Sequence, residues 1–297
     1  MLTIEDFLIH VFCCVDDLLQ DIYQQYPPRA RGFPPALSDS EVITMEIVAE
    51  YFGIDTEKGI WSYFSHHWLS WFPNIPSRSS FVRQAANLWK YKQILQTKLA
   101  QKMGAFDNHL HLIDGIPIPL CCFSRAPRCR SFKGEADYGN CAAKKQTYYG
   151  FSGHLVISGN GIITGFTLTS AATNEREAVW DTTDGIKGLL IGDKGYISKI
   201  LQEQLLQQRN INIQTPLRKN MKDTRPKALV KILMRVRRLI ETVIGQLVQR
   251  FNIEKVWARD MFHLTSRINR KLLAHTVCYW LNRDNSCPLN FEDLVSA

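Results

Sequence analysis

The sequence predicts an α/β protein in which helices flank a mixed sheet, preceded by an all-α domain. Three observations predict it. Apolar residues recur at helical spacing through residues 1–105, strand-like apolar runs take over near residue 107, and the two patterns then alternate. From residue 109 the order is strand, strand, strand, helix, strand, helix, strand, helix. Consecutive strands followed by alternation imply a mixed sheet with helices on its faces. The domains expected are 1–106, helical, and 107–297, sheet-bearing with C-terminal helices.

Each element has its local cause. In LSDSEVITMEIVAEYFG, Ser38 or Asp39 is placed to cap a helix, with Glu41 close behind. IPSRSSFVRQAANLWKYKQILQTKLAQKM starts at Pro76-Ser77 and carries Arg78, Arg83, Lys90, Lys92 and Lys98. Short helices ending on a basic one suit a helix-turn-helix DNA-binding module. They suit a plain helical bundle with a solvated charged face equally. HLHLIDGIPIPL (109–120), YYGFSGHLVIS (148–158) and IITGFTLTSA (162–171) read as strands, and Gly159-Asn160-Gly161 joins the last two as a hairpin. NEREAVWDTTDGI reads as a helix leading into the strand GLLIGD. A helix from about Ser198 to Arg209, the short strand INIQTP and a basic loop follow. A long helix then runs from roughly Pro226 to Phe251, with C-terminal helices to about Arg283.

Composition narrows the partners. The 297 residues carry 36 Lys+Arg against 28 Asp+Glu, a net charge of +8 that favours polyanions, nucleic acid before membrane surface. No apolar run is long enough to span a bilayer. Glu5 and Asp6 stand where a signal peptide carries Lys or Arg, so a cytoplasmic protein is expected. Cys121, Cys122, Cys129, Cys141 and His154 match no common zinc spacing, and reduced, mostly buried thiols are expected.

The chemistry gathers around three acids. Asp114 and Asp193 each close an apolar strand beside a glycine, Gly115 and Gly192. On neighbouring strands their carboxylates would repel. A divalent ion removes the conflict, and Mg²⁺ takes a few carboxylate oxygens plus substrate phosphate. On the long helix, Leu229, Ile232, Val236, Ile240, Val243, Leu247 and Phe251 form an apolar stripe. Glu241 falls off that stripe, on a flank shared with Met234, Arg237, Gly245 and Val248, and Gly245 leaves room for an approaching backbone. Arg218, Lys219, Lys222, Arg225, Arg237 and Arg238 make this region a candidate for DNA phosphate. Arg125, Arg128, Arg130 and Lys133 after the first strand, and Lys194 beside Asp193, are further candidates. His154 reads as a satisfied sheet histidine ahead of a phosphate contact, and Tyr148, Tyr149 and Phe151 read as core ahead of base stacking.

The segments LIDGIP, KKQTYYGFSGHL, ATNERE, IGDKGY, RRLIETVIGQL and RINRKLLAHTVCYWL together resemble the RNase H-like core of DDE transposases from bacterial insertion sequences. LSDSEVITM is similar to the insertion sequence 982 family within that group. The resemblance covers nearly the whole chain, most tightly residues 109–283. It implies an RNase H-like fold and a transposase that binds the element's terminal inverted repeats. It further implies strand cleavage and transfer with two Mg²⁺ or Mn²⁺ ions held by Asp114, Asp193 and Glu241. The implied partners are double-stranded transposon ends and target DNA, on which the protein works as a homodimer at the bacterial nucleoid. Related families place Tyr, Arg and Lys around the Glu. Here Arg237 matches, while Met234 and Val248 occupy the outer two positions, and Arg250 is a substitute for the Lys. Two alternatives stand beside it: a catalytically inactive DNA-binding regulator, and a haloacid-dehalogenase-like phosphatase. The phosphatase needs a second acid two residues after Asp114, where this chain has Ile116.

Overall fold

The computed structural model describes residues 1–28, 32–141, 145–218 and 220–296. The chain forms two compact units, Met1–Leu99 with Leu247–Ala297, and Ala100–Gln246.

The first unit is helical: α1 (Ile4–Gln25), α2 (Asp39–Tyr51), α3 (Glu57–His67), α4 (Arg78–Asn87), most of α5 (Trp89–Lys102) and, from the far end of the chain, α9 (Met261–Asn282). Ser38 caps α2 in a reciprocal box: Glu41 N donates to Ser38 Oγ at 3.1 Å, and Ser38 N donates to Glu41 Oε2 at 2.6 Å. Ser77 caps α4. Helix α2 is buried along almost its whole length, Glu46 and Glu50 included. Buried carboxylates need partners, and α5 and α9 supply them. Lys92, expected on a basic outer face, is fully buried instead. Its Nζ donates to both Glu46 oxygens at 2.8 and 3.0 Å and to Ala85 O at 2.9 Å. Among the other four bases singled out there, Arg78, Arg83 and Lys90 are exposed and Lys98 is half-buried.

The second unit is built on a curled mixed sheet flanked by helices. Its elements are β1 (Leu110–Cys122), β2 (Asp137–Cys141), β3 (Gln146–Ser158), β4 (Ile163–Ser170), α6 (Glu175–Thr182), β5 (Gly188–Ile191), α7 (Lys199–Arg209), β6 (Ile211–Gln214) and most of α8 (Lys227–Gln249). The strand order is β2-β3-β1-β5-β6, with β4 also paired to β3. Strand β3 gives one edge to β1 and divides the other, Gln146–Gly150 pairing with β2 and Phe151–Ile157 with β4, all antiparallel. Strands β1, β5 and β6 run parallel. Ile113 and Val156 of the sheet pack with Val179 of α6 and with Leu201 and Leu205 of α7.

Several expectations need correction. Strand β2 was not foreseen, because DYGNC is short, polar and mostly exposed and is held by pairing alone. The apolar stripe of α8 holds at Ile240, Val243 and Leu247, with Phe251 buried just past the helix end at Gln249, but Leu229 and Ile232 are 41% and 58% exposed and Leu233 is buried in their place. No atom outside its own helix lies within 4 Å of a Cβ built on Gly245, so no backbone approaches there. The cysteines form no disulfide among the described residues, yet only Cys278 is buried, and Cys13 and Cys287 are exposed. No helix among the described residues is long and apolar enough to cross a membrane.

Two buried histidines make stability depend on pH. Desolvation pushes His154 down to about 4 and His275 to about 3, both from an ordinary value of 6.5. A depressed histidine stays neutral when folded and takes a proton when unfolded, so stability is present above pH 6.5 and falls as pH drops towards the folded value. Urea unfolding should show each unit losing about 1–2 kcal/mol between pH 7 and pH 5. Equal midpoints at the two pH values would mean that these imidazoles titrate normally.

Candidate active site

The sheet register brings two carboxylates together. Leu110, His111 and Leu112 of β1 pair in parallel with Leu189, Leu190 and Ile191 of β5. Two residues beyond the last pair stand Asp114 and Asp193. Asp193 lies just past the end of β5, as the sequence indicates. Asp114 does not close its strand: β1 runs on to Cys122, and Asp114 pairs with Leu155 of β3. It lies where β1 outlasts β5, so its parallel neighbour gives way to a turn.

A single guanidinium spans the pair. Arg237 of α8 reaches Asp114 Oδ2 through Nη2 at 3.1 Å and Asp193 Oδ1 through Nη1 at 3.4 Å. The other Asp114 oxygen accepts from Gly115 N at 2.9 Å. Burial raises the Asp114 pKa above the usual carboxylate range; Arg237 opposes this and the Asp193 charge adds to it. Burial likewise works against the charge on Arg237, but Asp114 and Asp193 outweigh it and its pKa rises. Each side of the contact therefore depends on the other.

Glu241 follows Arg237 by one helical turn. It is exposed, and its charge acts on Arg237. The structure joins Asp114 to Asp193 and leaves Glu241 in solvent. No group of three or more His, Cys, Asp or Glu side chains among the described residues is arranged to hold a metal ion. A different acid has moved in beside the pair. Glu175, at the start of α6, is half-buried, and its pKa is raised by burial and then by the charges of Asp114 and Asp193. Sequence alone assigns Glu175 no site role, although it stands in the segment ATNERE, since an acid in the first turn of a helix is explained by the helix dipole alone.

The basic candidates fall into three kinds. Arg125, Arg128, Arg130, Lys133, Lys194, Arg218, Lys222 and Arg238 are exposed. Arg225 is committed inside the fold, bonding Asp223 Oδ2 at 2.8 Å, Gln214 Oε1 at 3.0 Å and Thr215 O at 3.0 Å. Arg237 is turned onto the carboxylates. Lys219 lies outside the described residues. His154 is buried with Nε2 3.0 Å from Thr169 Oγ1, a sheet histidine with a partner, and Tyr148 and Phe151 are core.

The donors of Asp114 and Asp193 are all oxygens, and the Arg237 guanidinium offsets only one of their two charges. That set suits a hard divalent cation, which binds through one or two carboxylates and completes its shell with water and phosphate. Fold and site together define an α/β protein with two acids just beyond the parallel pairing of adjacent strands, joined by an arginine of a basic helix. A family model described as the transposase DDE domain matches residues 105–261, more than half of the chain, and the chain belongs to that family. No match to a curated protein was found.

Proposed function

We propose that this DDE transposase is an insertion-sequence enzyme, similar to the insertion sequence 982 family, with an RNase H-like core and Asp114, Asp193 and Glu241 as its acidic triad. It binds the terminal inverted repeats of its element as duplex DNA, cuts there, and joins the ends to target DNA. Two copies act as a homodimer on paired ends, in the cytoplasm, at the nucleoid. The exposed bases of the helical N-terminal region contribute to end binding.

The observation that carries this reading is the sharing of Arg237 between Asp114 and Asp193, at 3.1 and 3.4 Å. Two carboxylates this close need a cation. Asp114 and Asp193 hold divalent ions from the sheet, and Glu241 holds them from α8. When bound, two Mg²⁺ or Mn²⁺ ions activate a water or 3′-hydroxyl and stabilise the leaving oxygen. Arg237 orients the paired carboxylates and meets phosphate charge. Lys194, Arg218, Lys222 and Arg238, with Arg125, Arg128, Arg130 and Lys133, neutralise the DNA backbone and fix its register.

The test uses duplexes carrying the element's own ends. Cleavage or joining should require Mg²⁺ or Mn²⁺ and stop with chelator. Calcium should support assembly with little chemistry, because its looser shell positions the reacting oxygens poorly. Binding of the same ends should fall steeply with salt. Wild-type protein that binds the ends and cuts under no divalent metal would make the chain a DNA-binding regulator.

A further inference from the structure

Two exposed rings meet at the far end of β1. Phe123 follows the strand directly and opens the short 3₁₀ helix Phe123–Arg128, and Tyr138 stands in β2. Large apolar side chains left in solvent are usually scattered singly. Between Trp71 and Ile200, Phe123 and Tyr138 are the exposed ones among the described residues, at 59% and 42%. These two are in contact. Their ring centroids lie 5.5 Å apart, and a further 5.5 Å separates Tyr138 from Tyr149 of β3.

The sheet register sets this row. Tyr149 pairs with Cys121 of β1 on one side and with Tyr138 of β2 on the other, so one face carries all three. Phe123 joins them through its contact with Tyr138. The inner ring is committed to the fold, its hydroxyl donating to Phe132 O at 3.4 Å. The outer two remain open to solvent.

Their surroundings are cationic. From Phe123 to Tyr138 the chain carries Arg125, Arg128, Arg130 and Lys133, all exposed, against the acids Glu135 and Asp137. The Arg125 charge reaches Cys121 and Cys122, which places it at the strand end beside the rings. Bases alone would suit the phosphates of any duplex. Open aromatic faces gain nothing from a duplex, whose paired bases stack on one another and show only their edges. An unpaired base offers its face, and every base has one. Single-stranded DNA supplies a phosphate and a base face with each nucleotide, which matches both halves of the patch at once.

We propose that this patch binds single-stranded DNA, with unpaired bases stacked on Phe123 and Tyr138 and their phosphates held by Arg125 and its basic neighbours. The proposal rests on the reading of the chain as a DNA enzyme and adds a second kind of DNA contact to it. Asp114 and Phe123 are separated by at most about 30 Å of extended chain. A strand opened near the paired carboxylates therefore reaches the rings within roughly ten nucleotides.

The experiment titrates the full-length protein against a single-stranded oligonucleotide carrying 2-aminopurine, whose fluorescence changes on stacking, and against a labelled duplex of the same sequence. Wild type should bind both and change the 2-aminopurine signal. The double variant Phe123→Ala with Tyr138→Ala should abolish that change and weaken single-strand binding by roughly 5- to 150-fold, the effect of one lost stacked base, with duplex binding within about twofold of wild type. Tyr138→Phe keeps the ring and should bind like wild type. Phe123→Ala alone leaves β2 intact and gives the same test should the double variant fold poorly. Arg125→Ala should instead weaken both DNA forms and flatten the salt dependence of each. Ring variants that bind single strands like wild type, or that lose both DNA forms alike, overturn the proposal. So does wild type that holds duplex and ignores single strands, which would leave the rings to a protein partner. Wild type that binds neither form sinks the DNA reading itself, and this proposal with it.

Discussion

Asp193→Asn protein is expected to lose end cleavage by a factor on the order of 10³ or more while binding the same DNA at least as well as wild type. The size follows from the role. A charged metal ligand stabilises developing charge by several kcal/mol, and each 1.36 kcal/mol is tenfold in rate. DNA binding survives because the exposed bases are untouched and one negative charge close to phosphate is removed. The fold should survive too. The Asp193 side chain is 42% exposed and meets Arg237 at 3.4 Å, so the lost contact is worth about 0–1 kcal/mol. Asp114→Asn is a less tidy variant, because that side chain is 20% exposed, makes the closer contact to Arg237 and also accepts from Gly115 N. A cleavage assay beside a gel-shift assay on the same preparations decides the matter. Asp193→Asn protein that cuts at the wild-type rate would remove Asp193 from the chemistry.

Those parts of the protein that local rules govern were legible in the sequence. The Ser38–Glu41 box starts α2 where the sequence places it, and Gly159-Asn160-Gly161 joins β3 to β4, with Gly161 at φ +88°. Asp114 and Asp193 were found because a carboxylate after an apolar run is anomalous at any single position. Long-range pairing decided the rest. Lys92 looks like one more base on a charged helix, and only Glu46, on another helix, turns it inward. Arg237 was picked out by its distance from Glu241 along the helix, but its reach to two strands depends on register. Glu175 stands in ATNERE with no role assigned to it, and its approach to Gly195, a glycine whose own φ does not require one, is visible only in three dimensions. The first turns of α8 mislead for the opposite reason: the apolar period is present, yet Leu229 and Ile232 remain in solvent.

The largest stability effect is expected at Arg270. Its side chain is 1% exposed and joins the last long helix to the second one: Nε donates to Glu50 Oε1 at 2.6 Å, and Nη2 donates to Asp55 O at 2.6 Å. Nη1 stands 3.5 Å from both Glu46 and Glu57. Burial disfavours the Arg270 charge, but Glu50, Glu46 and Glu57 more than compensate and hold its pKa above the ordinary value. Replacing it by Met keeps the volume and leaves Glu50 to Lys271 alone, at 3.0 Å, and Glu46 to Lys92. Removing one partner from a buried ionic network costs about 3–5 kcal/mol, because the remaining charges stay desolvated. Arg270→Met should therefore lower the urea midpoint of the helical unit by that equivalent and leave the sheet unit's transition in place. Arg267→Met serves as the control: it pairs with Glu57 closer to the surface, at 17% and 14% exposure, and should cost less. Truncation before α9 should be more damaging still, since it withdraws Arg270 and Lys271 together with the buried apolar face of α9, Leu264, Ile268, Leu272 and Leu273 included. Equal midpoints for Arg270→Met and wild type would mean that the Arg270 contacts add no net stability.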